Sequence, residues 1–142
     1  MSNNPTSIFI VDNHPMFMEG LKSAFVNNND FRIIGIANSI KHTQLSHNLN
    51  EIHIVFIGIN FPDDVELDYF HLIKDNYPNT KIIALFHDFY INALSKAWIN
   101  KADALLMKGF DNVELFSIIE SVLLDLRIIS RNVPEFRSKQ SQ

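Results

Sequence analysis

The sequence predicts an α/β domain: a doubly wound parallel sheet built from five βα units. Two observations predict it. Short, almost wholly apolar, β-branched runs recur along the chain, as strands do when both faces of a sheet are covered. Between them lie stretches with apolar residues at helical spacing, so strands alternate with helices instead of pairing as hairpins. A length of 142 residues with no internal repeat fits one such domain.

Residues 7–11, Ser-Ile-Phe-Ile-Val, are the first strand. Asn13-His14-Pro15 breaks it and opens a helix, because proline loses nothing by lacking an N–H in a first helical turn. Met16, Phe17, Gly20, Leu21, Ala24 and Phe25 keep helical spacing until the polar run 27–30. Residues 31–37 are the second strand. Residues 39–50 are polar with scattered Ile40 and Leu45 and give a weak helix. Residues 53–57 are the third strand and 61–64 a loop. Leu67, Phe70 and Ile73 mark a helix ended by Asn76-Tyr77-Pro78.

Residues 81–86 are the fourth strand, and Asp88 is a candidate cap for a helix carrying Ile91, Leu94, Ala97 and Trp98. Residues 104–107 are a short fifth strand. Asp111 is the expected N-cap of the last helix, with Val113, Phe116, Ile119, Leu123 and Leu126 on one stripe. From Arg127 the chain turns polar and basic. The expected division is a domain over residues 1–129 and a tail or linker over 130–142. Right-handed crossovers leave few topologies for five such units, and the flavodoxin-like order 2-1-3-4-5 is the commonest at this size.

Composition excludes several functions. The chain is 46% hydrophobic and 20% charged, an ordinary globular balance. A net charge of −4 makes direct nucleic-acid binding by this chain unexpected, since phosphate contacts supply most non-specific affinity. With no cysteine there is no disulfide and no thiolate chemistry. No apolar run approaches the ~20 residues of a membrane span, and the N-terminus has no basic signal-like region. The expectation is a cytoplasmic protein without membrane contact. Twelve Phe against four Gly is the one unusual feature.

In this fold, function sits beyond the carboxyl ends of the strands. The residues there are Asp12, Asn13, Gly58, Ile59, Asn60, Phe86, His87 and Lys108. The segment Ile8-Phe9-Ile10-Val11-Asp12-Asn13-His14-Pro15 resembles the opening of a response-regulator receiver domain, and Met16-Phe17-Met18-Glu19-Gly20-Leu21 continues as in the LuxR-type branch. Ile54-Val55-Phe56-Ile57-Gly58-Ile59-Asn60-Phe61-Pro62 is similar to its third strand and loop. Ala102-Asp103-Ala104-Leu105-Leu106-Met107-Lys108 is similar to its fifth strand.

That resemblance implies phosphoryl transfer to an aspartate at the end of the third strand. It also implies Mg²⁺ held by acids after the first strand, and a hydroxyl and a lysine on the phosphoryl group. This sequence departs from the pattern. Gly58 stands at the acceptor position, Asn13 in the acidic pair, Phe86 at the hydroxyl and Leu105 at the switch aromatic; Asp12 and Lys108 remain. The expectation is a degenerate pseudo-receiver: no catalytic residue, no metal and no cofactor, with Phe86 filling the phosphate space and Lys108 paired with Asp12.

Other residues read plainly. Asp63 and Asp64 are solvated loop charges, and His14 and His87 share the rim without a third ligand. No hydrolase triad, Walker-type loop or flavin phosphate loop is visible. The resemblance implies an interaction surface on the face that carries Trp98, and the last helix is too apolar for one core, so Trp98, Leu115, Ile118 and Val122 are candidate contacts for a protein partner or a second copy in a homodimer. The function expected is a non-enzymatic, phosphorylation-independent interaction module of two-component signalling. The alternatives are a small-molecule sensor at the vacated pocket, lined by His14, Asn60 and His87, and the receiver part of a longer DNA-binding regulator.

Overall fold

The computed structural model describes residues 4–40 and 51–133. Its elements are β1 (Thr6–Val11), α1 (Pro15–Ser23), β2 (Phe31–Ala37), β3 (Ile54–Ile59), a 3-10 turn (Val65–Tyr69) running into α2 (Phe70–Asn76), β4 (Lys81–Phe86), α3 (Ile91–Ile99), β5 (Ala104–Met107), α4 (Asn112–Leu123) and β6 (Ile128–Ile129). All pairings are parallel, in the order β2-β1-β3-β4-β5-β6. The doubly wound fold and the order 2-1-3-4-5 therefore hold, with a sixth strand added at the edge. From residue 41 on, the weak helix expected over 39–50 lies outside the described residues.

Alternation along the strands builds two cores. Phe9, Val11, Ile57, Ile59, Ile82, Ala84, Phe86 and Leu105 face α2 and α3. Ile8, Ile10, Ile54, Phe56, Ile83, Leu85 and Leu106 face α1 and α4. Much of the phenylalanine excess gathers on this second face. Phe25 lies 5.4 Å from Phe31, 6.1 Å from Phe56 and 5.5 Å from Phe116, ring centre to ring centre. Tilted and edge-on rings pack favourably beyond the area they bury.

Four expectations need correction. Asp88 does not cap α3: the cap position is Tyr90, and Asp88 accepts from the Phe89 N–H next door. The third strand runs two residues further than expected, to Ile59, which puts Gly58 inside the sheet. Asp64 is more than a solvated loop charge: it accepts from the Asn60 and Glu66 N–H groups and caps the 3-10 turn.

The stripe on α4 is also different. Leu115, Ile118, Ile119 and Val122 are buried, whereas Val113 and Leu123 are exposed. The spacing 115, 118, 119, 122 is the i, i+3, i+4, i+7 repeat of an amphipathic helix. Leu115, Ile118 and Val122 therefore belong to the core and do not form an external contact. The exposed apolar residues at this end are Val113, Leu123, Leu124 and Leu126. Asp111, by contrast, caps α4 as expected, accepting from Glu114 N–H at 2.8 Å.

Packing continues past the expected boundary at residue 129. The Ile128 N–H donates to Asp103 O and the Ser130 N–H to Leu105 O, and Val133 is fully buried among the residues facing α2 and α3. Arg127 anchors the start of this segment. Its guanidinium lies 3.7 Å over the Trp98 ring and donates to the carbonyls of Trp98 and Ala102 at the end of α3. Trp98 is thus half-buried and covered by the chain's own Arg127.

Candidate functional site

The carboxyl ends of β1, β3 and β5 converge on one polar cluster. Asp12 follows β1 and is 2% exposed, and its Oδ2 sits 2.8 Å from the Lys108 Nζ just beyond β5. Asp12 Oδ2 receives no directed hydrogen bond, so the ammonium alone neutralises it. Asp12 Oδ1 accepts from Asn60 Nδ2 at 2.9 Å and from the His14 N–H at 3.2 Å. Lys108 Nζ also donates to Asn60 Oδ1 at 2.8 Å. Asn60 therefore uses both ends of its amide, and its Nδ2 reaches Asn13 Oδ1 at 2.8 Å as well.

Gly58 explains why this closed arrangement is possible. A β-carbon at residue 58 would stand 2.6 Å from Asp12 Oδ1 and closer still to its Oδ2 and Cγ. The Asp12 carboxylate thus lies in the space that a side chain on β3 would enter. The expected pairing of Lys108 with Asp12 is present. The expected plug is different: Asp12 is the group nearest to position 58, while Phe86 is fully buried in the core facing α2 and α3. Leu105 is buried in the same core.

Rings close the outer side. Lys108 Nζ lies 4.4 Å from the centre of the Phe17 ring. Phe17 stacks on His14 at 6.2 Å and meets Phe110 edge-on at 5.9 Å. His14 and His87 meet edge-on at 5.9 Å, and His14 Nδ1 is 3.5 Å from Lys108 Nζ. Tyr90 donates its hydroxyl to Asn60 O at 3.2 Å. Among the described residues, no three His, Cys, Asp or Glu side chains gather as a metal-binding group.

The sequence singles out Asp12, Asn13, Gly58, Asn60 and Lys108, and the structure brings all five together. It does not anticipate the contact of Phe17, which packs against the core as periodicity predicts but whose ring centre also lies 4.4 Å from Lys108 Nζ. Nor does it anticipate Asn132, whose side chain accepts from the Met107 N–H at 3.0 Å and donates to the Met107 carbonyl at 2.9 Å. The β-branched pair Ile128-Ile129 is the signal that this stretch is strand and not tail. Two clefts, of about 490 Å³ between α1 and β2 and about 480 Å³ between α4 and β6, lie away from the cluster.

Comparison with known proteins agrees with the fold. Residues 8–120 match the family model of the response regulator receiver domain. The transcriptional regulatory protein MctR of Rhizobium johnstonii is 23% identical over 116 residues. That match takes in 81% of this chain and 54% of MctR, so the chain spans about half the length of this curated relative. A LuxR-family two-component response regulator from Aurantimonas sp. superposes with a TM-score of 0.82 at 19% identity, covering 97% of this chain and 99% of that one. Salmonella typhimurium RcsB, a response regulator described in terms of DNA interaction, gives a TM-score of 0.78 at 18% identity, covering 97% of this chain and 68% of that one.

Proposed function

Because the chain belongs to the response regulator receiver domain family, we propose that it is a pseudo-receiver: a signalling domain that works without phosphate. In this reading it is a cytoplasmic, non-enzymatic module that binds a protein partner or a second copy of itself. The observation that carries it is the Asp12 carboxylate lying over Gly58 and paired with Lys108 at 2.8 Å.

Three physical points support it. Gly58 offers no nucleophile. Mg²⁺ keeps near-octahedral oxygen coordination and dehydrates reluctantly, so it needs more than one free carboxylate. Here the one carboxylate of the cluster already faces an ammonium, Asn13 and Asn60 supply only amides, and the residues present do not fit the ion. Finally, Phe86 puts a buried ring where the family carries a hydroxyl donor.

Incubation with acetyl phosphate or phosphoramidate and Mg²⁺, followed by intact mass measurement, tests this. The expected result is no phosphoryl adduct. A stoichiometric, hydroxylamine-sensitive adduct overturns it.

A second reading is supported by one observation: the chain covers 54% of MctR and 68% of RcsB. It is that the domain serves as the receiver part of a longer, DNA-binding regulator. The length of the native open reading frame decides it.

A further inference from the structure

We infer that residues 128–133 form an internal strap which holds Lys108, and with it the ion pair to Asp12, in register. The observations are independent of whether the site takes phosphate. Met107 and Lys108 are held from both sides. On one side the Lys108 N–H donates to Phe86 O at 2.8 Å. On the other, the Asn132 carboxamide pairs with both the N–H and the carbonyl of Met107, at 3.0 and 2.9 Å. A carboxamide used this way copies a peptide group and extends the β5 ladder by one side chain.

The strap is itself secured at several points. The Ser130 N–H bonds Leu105 O at 2.9 Å, and the Ser130 hydroxyl donates to Glu114 on α4. The Asn132 N–H reaches Ser130 Oγ at 3.3 Å, and the Val133 N–H reaches Ser130 O at 3.0 Å. Val133 is fully buried in the same core as Phe86 and Leu105. Arg127 fixes the near end on α3.

These contacts make Asn132 a positioning residue. It acts on Asp12 only through the backbone that carries Lys108. Loss of the ion pair frees the Lys108 end of β5, and the strap loses the rigid edge against which it is paired. Loss of the strap in turn lets the Met107–Lys108 peptide move, and the ammonium leaves its 2.8 Å contact. Coupling of this kind is reciprocal.

Hydrogen exchange on the full 142-residue chain tests it. In Asp12→Asn, the Ser130 and Val133 amides are expected to exchange about tenfold faster, the scale of one hydrogen bond lost. The Thr6 N–H, bonded to Asp30 O at the start of β1, reports local opening away from the ion pair and is expected to change less. Should Asp12→Asn fail to fold, Lys108→Met serves in the same comparison.

In the reverse direction, Asn132→Ala is expected to abolish the slow-exchanging ammonium signal of Lys108. Asn132→Asp, which keeps the acceptor for the Met107 N–H, is expected to restore part of it. Strap amides that stay unchanged, or that speed up only in step with Thr6, overturn the inference. So does an Asn132→Ala chain whose Lys108 signal is intact.

Discussion

The carboxylate of Asp12 and the bare α-carbon of Gly58 are complementary. The first occupies the volume that the absence of a side chain on the second leaves open. Neither residue can be changed without consequence for the other, and the open space at Gly58 lets the carboxylate reach Lys108.

Gly58→Ala is expected to destabilise the domain by about 1–3 kcal/mol, the usual cost of overpacking a filled site. The new β-carbon must push the carboxylate off Lys108. In an Asp12→Ala background the same substitution is expected to cost less. Urea unfolding of the four chains checks it, and additive effects would contradict the shared volume.

Removal of one member of the buried pair leaves the other charge uncompensated. Lys108→Met and Asp12→Asn are each expected to lose about 3–5 kcal/mol. The double variant is expected to recover much of that, because two neutral side chains need no counter-charge. Denaturant midpoints for the three variants decide it.

Phe86 is fully buried, and Phe86→Thr both opens a cavity and adds a hydroxyl to an apolar core. By analogy with Phe→Ala, a loss of about 3–5 kcal/mol is expected. Thermal unfolding at the midpoint of the parent would reveal it. An unchanged midpoint would mean that the ring is not structural, and would revive the idea of a usable hydroxyl position.

Asp125 gives a pH-dependent term. Its carboxyl is held below the usual 3.8, first by a hydrogen bond from Lys81 and then by that ammonium's charge. A carboxylate depressed in the folded state stabilises that state above its unfolded value, and the contribution is lost as pH falls through the folded value. Asp125→Asn also suits the backbone, since residue 125 has φ of 65° and Asn tolerates the left-handed region. The variant is expected to melt slightly below the parent at neutral pH and to converge with it once the pH has fallen through the lowered carboxyl value. The Asp125 side chain is exposed, so ~1 M salt is expected to erase the neutral-pH difference.

Arg127→Lys removes the planar group that lies on Trp98 and bonds two carbonyls. A lysine cannot reproduce both. A loss of about 1–2 kcal/mol is expected from the stacking and hydrogen bonds together. Trp98 is the one tryptophan, so its fluorescence should shift in the folded state.

Much of this was legible from residue order. The five apolar runs place β1 to β5, because strands covered on both faces need no polar alternation. Asp12, Gly58 and Lys108 fall at strand ends, so their convergence follows from a parallel sheet. Three things were not legible. Residues 128 and 129 are too few to give a period, so β6 reads as tail. On α4 seven of the twelve positions are apolar and spread over more than one face, so two stripes fit, and packing alone chooses Leu115, Ile118, Ile119 and Val122. Phe17 sits at a core-like spacing and does pack at the margin of that core, but its ring also lies against Lys108, which periodicity does not show.

The Asp12–Lys108 contact has one more consequence, at long range. Opposite unit charges 2.8 Å apart behave beyond a few ångströms as a small dipole. A cleft that carries one sign of charge draws counter-ions and speeds their arrival, and salt slows that arrival. This pair supplies no such field. Anions in solution drift past this end of the sheet without being drawn in by Lys108, and ionic strength has little hold on how often they meet it.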